Sequence, residues 1–379
     1  MESGIPLFKV RGIQIRMHIT FPLILVWGAV QFGLLAGLGA RGAVFGVLVT
    51  LLLFVIVVLH ELGHSFVAQS YGITVRQIVL LPIGGVALLE RIPEKPSQEF
   101  AIAIAGPLVN FGLAAVMAVL ALVLGVDLQL RGFGTVLQQL GEGSLQAIFS
   151  YIFVLNLFLG LFNLLPAFPM DGGRVLRALL ASRMDYARAT ALAVAIGQGL
   201  AWLMGLWGFL GGGFFLILVA IFIYTGAGQE GRMVQLRSVL RDLTVGQAYS
   251  RQVKALTPRS TLREAIDITL NSFQSDFPIC EGEQLVGLLT HTQVVKALHR
   301  TGPDSLVTDF MHKDLIPVSP DQSLYQAQKR LMGEGLDALP VVDAGRFVGL
   351  VTSRDVNEVY SLASQWPELG RPSVQPAES

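Results

Sequence analysis

The sequence has few charged residues. Only 14% of its 379 residues are Asp, Glu, Lys or Arg, whereas soluble globular proteins carry roughly 25%. The net charge is zero and there is no long basic run, so nucleic acid is not expected as a partner. The single cysteine, Cys280, excludes an internal disulfide framework. Because 53% of the residues are hydrophobic, the composition is that of a protein embedded in a lipid bilayer.

The apolar residues are concentrated in the first part of the chain. They fill residues 19 to 226 and give way to alternating charged and apolar sequence from about Gln229. A helix needs about 20 apolar residues to cross a bilayer, and the first of these runs is too long for a cleaved signal peptide. Six transmembrane helices are predicted, at residues 19–39, 43–69, 98–125, 145–166, 188–206 and 208–226.

The distribution of Lys and Arg predicts the orientation of these spans. The N-terminal segment, the 70–97 and 167–187 loops and the start of the tail carry three Lys or Arg residues each. Of the three alternate loops, the first carries only Arg41, the second carries only Arg131, and the third carries neither Lys nor Arg. Since positive residues collect on the cytoplasmic side, we expect a multi-pass protein of the cell membrane with both termini in the cytoplasm.

The second predicted span contains the sequence HELGH. A charged side chain at the bilayer centre costs about 2.5 kcal/mol or more, so ionisable groups there need a compensating interaction. His60 and His64 are four residues apart and share one face of a helix, where both can bind one metal ion. Glu61 is placed to take a proton from a water molecule at that metal. The alternative is a chance pentapeptide whose histidines form hydrogen bonds inside a helix bundle.

A catalytic zinc site has three protein ligands and one open position, so a third ligand is expected at a similar depth. Acidic residues are scarce in the spans, and Asp171 stands out in NLLPAFPMDGGR, at the end of the fourth span. Two prolines that break the helix precede it, and two glycines that allow a tight turn follow it. The predicted orientation places both motifs toward the cytoplasmic leaflet. The alternative is an aspartate that caps the following helix.

HELGH on one membrane helix, followed by NxxPxxPxDGG about a hundred residues later, resembles the site-2 protease family of intramembrane zinc metalloproteases. The similarity covers residues 5 to 226 and includes AGPLVN at 105 to 110. It implies that His60, His64 and Asp171 bind Zn²⁺ and that Glu61 is the general base. It also implies that Asn163 is a polar active-site residue, although an interhelical hydrogen bond is an equal alternative for Asn163.

Residues 73–90 contain β-branched residues around a turn at Pro82, Gly84 and Gly85. They predict a membrane-associated β-hairpin. A helical substrate must unwind before hydrolysis because its carbonyl groups are paired internally, and the edge of the hairpin offers a strand for it to join. A hairpin that only covers the site is the alternative.

The tail contains an internal repeat. At an offset of 62 residues, Pro258 matches Pro320, and Gly287, Leu288 and Thr290 match Gly349, Leu350 and Thr352, which indicates two copies of one unit. FPICEGEQLVGLLTHTQVVKAL and LPVVDAGRFVGLVTSRDVNEVY resemble a tandem pair of cystathionine beta-synthase (CBS) domains, modules that often bind adenine nucleotides between the repeats. The resemblance implies one nucleotide site at Thr352 and Asp355, since Gln293 replaces the aspartate in the first copy. A dimerisation module without a ligand is the alternative.

The predicted fold is an α-helical polytopic membrane domain with a β-hairpin or sheet, followed by an α/β cytoplasmic CBS pair. The predicted segments are a membrane metalloprotease domain, a linker, two CBS repeats and a disordered tail, at residues 1–228, 229–242, 243–300, 305–363 and 366–379.

The predicted function is intramembrane proteolysis. The expected substrate is a transmembrane or membrane-anchored regulator, such as a transcription regulator or anti-sigma factor, cleaved near the cytoplasmic face. Adenine nucleotide at the CBS pair is expected to regulate cleavage, and the pair offers a surface for a homodimer. The alternatives are a CBS-regulated ion channel or transporter with a His/Asp ion site, and an inactive scaffold with structural zinc.

Overall fold

The computed structural model describes residues 4–90, 93, 95–128, 145–272, 274–313 and 315–366. The chain divides into two compact units, Met1–Arg232 and Met233–Ser379. Each unit has its own hydrophobic clusters, as the change in composition near Gln229 indicates.

The first unit is mainly helical. Its helices in the described residues are α1 (Pro22–Val30, extended by a π-helical turn at Gln31–Leu35), α2 (Gly39–Ser70), α3 (Pro96–Val123), α4 (Leu145–Asn163), α5 (Asp171–Ala181), α6 (Tyr186–Leu210) and α7 (Phe214–Arg241).

Four of these helices, α2, α3, α6 and α7, are long and apolar enough to cross a membrane. Two shorter apolar helices, Pro22–Leu35 and Ile148–Asn163, coincide with the first and fourth predicted spans. At 1.5 Å per residue, a helix of fewer than 18 residues extends less than the ~30 Å of a bilayer core. The structure therefore supports four spans by length, and the count of six stays a prediction.

A four-stranded sheet packs against α2. Its strands are β1 (Gly4–Val10), β2 (Ile13–His18), β3 (Val75–Leu81) and β4 (Gly84–Leu89), hydrogen-bonded in that order. The predicted hairpin is confirmed as the antiparallel pair β3 and β4, while β2 pairs with β3 in parallel. Sequence analysis missed β1 and β2, because the pairing that joins them to the hairpin, β2 with β3, links segments far apart in the chain.

The sheet leaves β4 at an edge, since β4 pairs only with β3 in the part of the chain that the structure describes. The inner face of the sheet is apolar: Ile13, Ile15 and Ile78 are fully buried in one cluster with Phe54 and Leu62 of α2. This packing holds the hairpin beside the helix that carries HELGH.

The α4–α5 connection confirms that the prolines end the fourth apolar helix, because α4 ends at Asn163 and α5 begins at Asp171. The role assigned to the two glycines was wrong. Gly172 and Gly173 lie in the first turn of α5, where an added Cβ would come within 2.1 Å of the Leu165 oxygen and 2.6 Å of the Phe168 nitrogen, respectively. These glycines are needed for close approach of the backbones rather than for a turn.

The second unit contains the repeat. Each copy has a helix, a two-stranded antiparallel hairpin and a second helix, as predicted. The elements are α8 (Leu262–Ser272), β5 (Phe277–Glu281), β6 (Gln284–Leu289) and α9 (His291–Thr301), then α10 (Leu324–Glu334), β7 (Ala338–Asp343), β8 (Arg346–Thr352) and α11 (Ser353–Gln365).

Two isolated β-bridges relate the copies. Ser250 pairs with Leu350, and Leu288 pairs with His312. At the 62-residue offset Ser250 corresponds to His312 and Leu288 to Leu350, so the two bridges are equivalent contacts between the copies. The predicted linker at 229–242 is helical through Arg241 as the end of α7. Residues 367–379 of the predicted tail lie outside the described residues.

Candidate metal centre

Helix α2 carries the first two residues of the site. His60 and His64 lie on one face of the helix, with their ring centroids 4.7 Å apart and the ring planes nearly perpendicular. Their Nε2 atoms are 3.1 Å apart. The four-residue spacing therefore brings both imidazoles to one point, as the sequence predicts.

Asp171, the first residue of α5, completes the cluster. Its Oδ2 atom lies 3.1 Å from His60 Nε2 and 3.1 Å from His64 Nε2. His60 is 7% exposed and Asp171 is 9% exposed. Among the described residues, these three form the one group of three or more His, Cys, Asp or Glu side chains that can hold a metal ion. The N-cap of α5 is Met170, with no side-chain cap hydrogen bond, so the helix-capping alternative for Asp171 is wrong for the described residues.

The second ring nitrogens define which tautomers are present. His64 Nδ1 lies 2.7 Å from the carbonyl oxygen of Ile102, and His60 Nδ1 lies 2.5 Å from Asn110 Oδ1. Because both partners are acceptors, each Nδ1 carries the proton and donates it. Both Nε2 atoms then carry lone pairs, and these point at each other and at a carboxylate oxygen.

Three lone pairs that converge in a buried site favour a cation between them. Two donors that bind zinc tetrahedrally at about 2.0–2.1 Å lie roughly 3.3 Å apart, close to the 3.1 Å separations observed here. Two imidazoles and one carboxylate also form a donor set typical of catalytic zinc sites. The residues fit Zn²⁺.

An asparagine pair supports His60 and was missed by sequence analysis. Asn110 Nδ2 donates to Asn156 Oδ1 at 3.2 Å, and Asn156 Nδ2 donates to the Ile152 carbonyl oxygen at 2.8 Å. This chain of bonds directs the Asn110 oxygen at His60. Both asparagines are fully buried. Polar residues within membrane helices are costly, and that signal was available at both positions.

Helix α3 also makes room for the histidine rings at Gly106. A Cβ added there would lie 2.2 Å from His64 Nε2 and 2.7 Å from His60 Cε1. Packed atoms do not approach within 3.0 Å, so only glycine fits here while both rings keep their places in the cluster. The AGPLVN motif therefore contributes both a space, at Gly106, and an acceptor, at Asn110.

Glu61 lines the same cavity as the three-residue cluster. The cavity measures about 470 Å³, and its wall is mostly apolar. The Glu61 side chain is half-buried and packs on β4, where a Cβ on Gly85 would lie 2.7 Å from Glu61 Cγ. A carboxylate thus lies beside the cluster without being part of it.

Asn163 also lines the cavity. Its Nδ2 donates to the Leu159 carbonyl oxygen of its own helix at 3.0 Å. Among the described residues, the hydrogen bond of its side chain therefore lies within α4 and not between helices. An amide nitrogen has two N–H groups, so one donor and the amide oxygen remain for the cavity.

The remaining predicted site residues lie in the second unit. Thr352 and Asp355 form a capping box at the start of α11, with Thr352 Oγ1 2.7 Å from Asp355 Oδ2. Ser250 Oγ donates to the other carboxylate oxygen at 3.1 Å. Thr290 and Gln293 form the equivalent box at the start of α9.

Comparisons with known proteins agree with this geometry. Residues 48–204 match the profile of peptidase family M50, and residues 245–300 and 307–361 match the CBS domain. A zinc metalloprotease of Methanocaldococcus jannaschii is 35% identical over 370 residues, which cover 97% of this chain and 99% of that protein.

Two further proteins are similar over part of the chain. Stage IV sporulation protein FB of Bacillus subtilis is 30% identical over 172 residues, 45% of this chain and 54% of its own. The solved structure of a site-2 protease from Methanocaldococcus jannaschii is 43% identical, with a TM-score of 0.44 over 60% of this chain and 95% of that one.

The cluster of His60, His64 and Asp171 lies in a chain whose relatives are zinc metalloproteases. The ion-channel or transporter alternative is therefore set aside. Full-length identity to a zinc metalloprotease, and the matches to peptidase family M50 and to two CBS domains, lead to one assignment. The chain belongs to the site-2 protease family of membrane-embedded zinc metalloproteases and carries a tandem CBS pair.

Proposed function

We propose that His60, His64 and Asp171 hold the zinc ion and that Glu61 is the general base for peptide hydrolysis. The observation that carries this proposal is the convergence of three ligand atoms at 3.1 Å beside the Glu61 carboxylate in one cavity. When bound, zinc supplies Lewis acidity that acidifies water and polarises a carbonyl group.

Glu61 carries the proton transfers. Its carboxylate accepts a proton from the attacking water and returns it to the nitrogen of the leaving amine. The wall of the cavity is mostly apolar, and electrostatic interactions are stronger beside an apolar wall than in bulk water. The N–H of Asn163 that is not bonded to Leu159 is available to stabilise the charge that develops on the carbonyl oxygen.

The substrate segment is proposed to bind as an added strand on β4. Gly84, Gly85, Val86 and Ala87 line the cavity on the edge that β3 leaves unpaired in the described sheet. Main-chain groups on such an edge pair with an extended peptide. Gly85 packs on Glu61, so a peptide added to this edge lies next to the general base.

The substrate is proposed to be a transmembrane or membrane-anchored regulatory protein, cleaved near the cytoplasmic face. The six spans are predicted from the apolar runs, and the Lys and Arg distribution predicts that both termini are cytoplasmic. The membrane domain is taken as residues 1–228, the linker as 229–242, the CBS repeats as 243–300 and 305–363, and the tail as 366–379.

The CBS pair is proposed to bind one adenine nucleotide and to regulate cleavage in response. Thr352 and Asp355 support this site, because the Asp355 carboxylate lies at the start of α11 within reach of Thr352 and Ser250. The first copy has Gln293 at the equivalent position and therefore lacks a carboxylate for ribose hydroxyls. A homodimer through the CBS pair is the proposed assembly.

The test compares wild type with Glu61→Gln and Asp171→Ala, and uses Glu90→Gln, a change at a solvent-exposed glutamate, as the control. Bound zinc and cleavage of a single-span substrate in vesicles are measured. Glu61→Gln should keep zinc and lose cleavage by about 10² to 10⁴-fold. Asp171→Ala should lose zinc as well.

Two outcomes contradict the proposal. Cleavage that survives Glu61→Gln would exclude Glu61 as the base. Full zinc binding by the wild type and by Asp171→Ala, with no cleavage by either protein, would favour the inactive scaffold.

A further inference from the structure

A buried arginine lies outside the metal cluster, in the first unit. Arg177 of α5 is 2% exposed. Its Nε donates to Glu99 Oε1 of α3 at 2.8 Å, its Nη2 donates to the same oxygen, and its Nη1 donates to Glu230 Oε1 of α7 at 2.5 Å. One guanidinium therefore joins three helices.

Two aromatic rings enclose the same guanidinium. Its Cζ lies 4.8 Å from the ring centre of Phe168 and 4.9 Å from that of Tyr186. The guanidinium thus binds two carboxylates and lies over two rings, a combination that lysine cannot reproduce. These contacts restrict the orientation of Arg177.

We infer that Arg177 is a positioning residue, which sets the orientation of α5 so that Asp171 meets His60 and His64. This inference rests on the proposed role of Asp171 as a zinc ligand. A buried ion pair is weak evidence for stability, since well-packed apolar residues often serve as well. What the Arg177 ion pairs provide here is a defined placement of α5 relative to α3 and α7.

The placement of Asp171 depends on its helix. Among the described residues, the hydrogen-bond partners of its carboxylate are the two histidines, and Met170, the residue before α5, makes no side-chain cap. Six residues separate Asp171 from Arg177, or about 240° around the helix at 100° per residue. The two side chains leave α5 on different sides, so Arg177 opposes rotation of the helix away from the histidines.

Helix α3 provides a common frame for all three ligands. Glu99 binds Arg177, the Ile102 carbonyl oxygen accepts from His64, and Asn110 accepts from His60. Glu99 and Ile102 are one turn apart on this helix. The distance between α2 and α5 at the cluster is therefore set through contacts that each makes with α3.

The experiment uses the full chain with Arg177→Lys, Arg177→Met and the double variant Glu99→Gln with Arg177→Met. Arg188→Met, a change at an exposed arginine in an ion pair with Asp185, is the control. Zinc affinity is measured by chelator competition, and the visible spectrum of the Co²⁺-loaded protein reports the coordination geometry. Melting temperature separates stability from positioning.

We expect Arg177→Met to weaken zinc binding about tenfold, the lower end of the effect of removing a residue that orients a ligand, and to change the cobalt spectrum. The double variant should regain melting temperature without regaining zinc affinity, because it removes the buried Glu99 carboxylate together with its partner and the remaining Glu230 side chain, 27% exposed, reaches solvent. Arg177→Lys should also bind zinc more weakly, and Arg188→Met should match wild type.

Recovery of both stability and zinc affinity in the double variant would show a merely structural role and overturn the inference. If Arg177→Met and the double variant do not fold, Arg177→Lys decides, and wild-type affinity with an unchanged cobalt spectrum overturns it. Asp171→Ala separates the proposed zinc ligands from the proposed positioning role of Arg177. Unaltered zinc binding by Asp171→Ala would contradict the ligand set itself, independently of the result for the Arg177 variants.

Discussion

The site restricts the residues that surround the histidine rings as well as the histidines themselves. Gly106 of α3 faces the edges of both imidazoles, and the nearest atom to an added Cβ is Nε2 of His64. Asn110, four residues later, directs its oxygen at His60. One turn of α3 therefore decides both where the rings lie and which nitrogen carries the proton.

Gly106→Ala should abolish zinc binding, because the new methyl group would lie 2.2 Å from His64 Nε2. Gly112→Ala on the same helix is the matched control, since an added Cβ there meets no atom within 4 Å. The control should keep zinc, and its free energy of unfolding should rise by up to about 1 kcal/mol because alanine has the higher helix propensity. Zinc content and melting temperature are measured, and equal zinc content in both variants would contradict the prediction.

Asn110→Ala should weaken zinc binding by about 10- to 100-fold, because His60 loses the acceptor that fixes its tautomer. Asn156→Ala, which removes only the next bond in the chain, should have a smaller effect. Chelator competition gives both affinities. An Asn156 variant as weak as the Asn110 variant would show that burial of the pair, rather than the bond to His60, is what matters.

At the scale of elements, β4 connects the sheet to the cavity. Its inner edge pairs with β3, and its residues from Gly84 to Ala87 line the cavity beside Glu61. Successive residues of an antiparallel strand direct their N–H groups alternately toward and away from the partner strand. One of Val86 and Ala87 therefore directs its N–H toward β3, and the other directs its N–H toward the open edge.

Proline at one of these two positions should therefore disrupt the β3–β4 pairing, and proline at the other should remove an N–H from the open edge. Val86→Pro and Ala87→Pro serve as controls for each other. The variant that keeps its melting temperature and zinc content should lose cleavage, since a substrate strand loses a hydrogen bond. Cleavage at the wild-type rate by that variant would exclude strand addition at this edge.

At the scale of the whole molecule, the chain combines a membrane metalloprotease domain with a tandem CBS pair. The second unit repeats its secondary structure at an offset of 62 residues, and each copy starts its last helix with a capping box. Only the second copy has a carboxylate in that box, at Asp355. The two copies are therefore alike in fold and different in the chemistry they offer a ligand.

Adenine nucleotide at a hundred times its Kd should stabilise the second unit by about 2.7 kcal/mol. Asp355→Ala should abolish this response, and Gln293→Ala, which removes the equivalent cap in the first copy, should not. Calorimetric melting with AMP, ADP and ATP measures the shift. Loss of the response in both variants, or in neither, would contradict a single site at Asp355.

The sequence by itself determined the features that depend on short spacings. The four-residue interval of His60 and His64 produced a shared helix face, the prolines before Asp171 ended α4, and the 62-residue repeat produced two copies of one unit. Each of these is local, because helix periodicity and proline chemistry act within a few residues. Asp171 could be identified because acidic residues are rare in apolar spans.

Only the tertiary structure decided which distant residues meet. His60 and Asn110 are 50 positions apart, and Arg177 is 78 positions from Glu99; the pairing of β2 with β3 likewise spans the whole of α2. Gly106 has no local signal at all, since its importance lies in the ring that another helix brings against it. Helix spacing fixes which side chains share a face, but close packing between helices decides what that face meets.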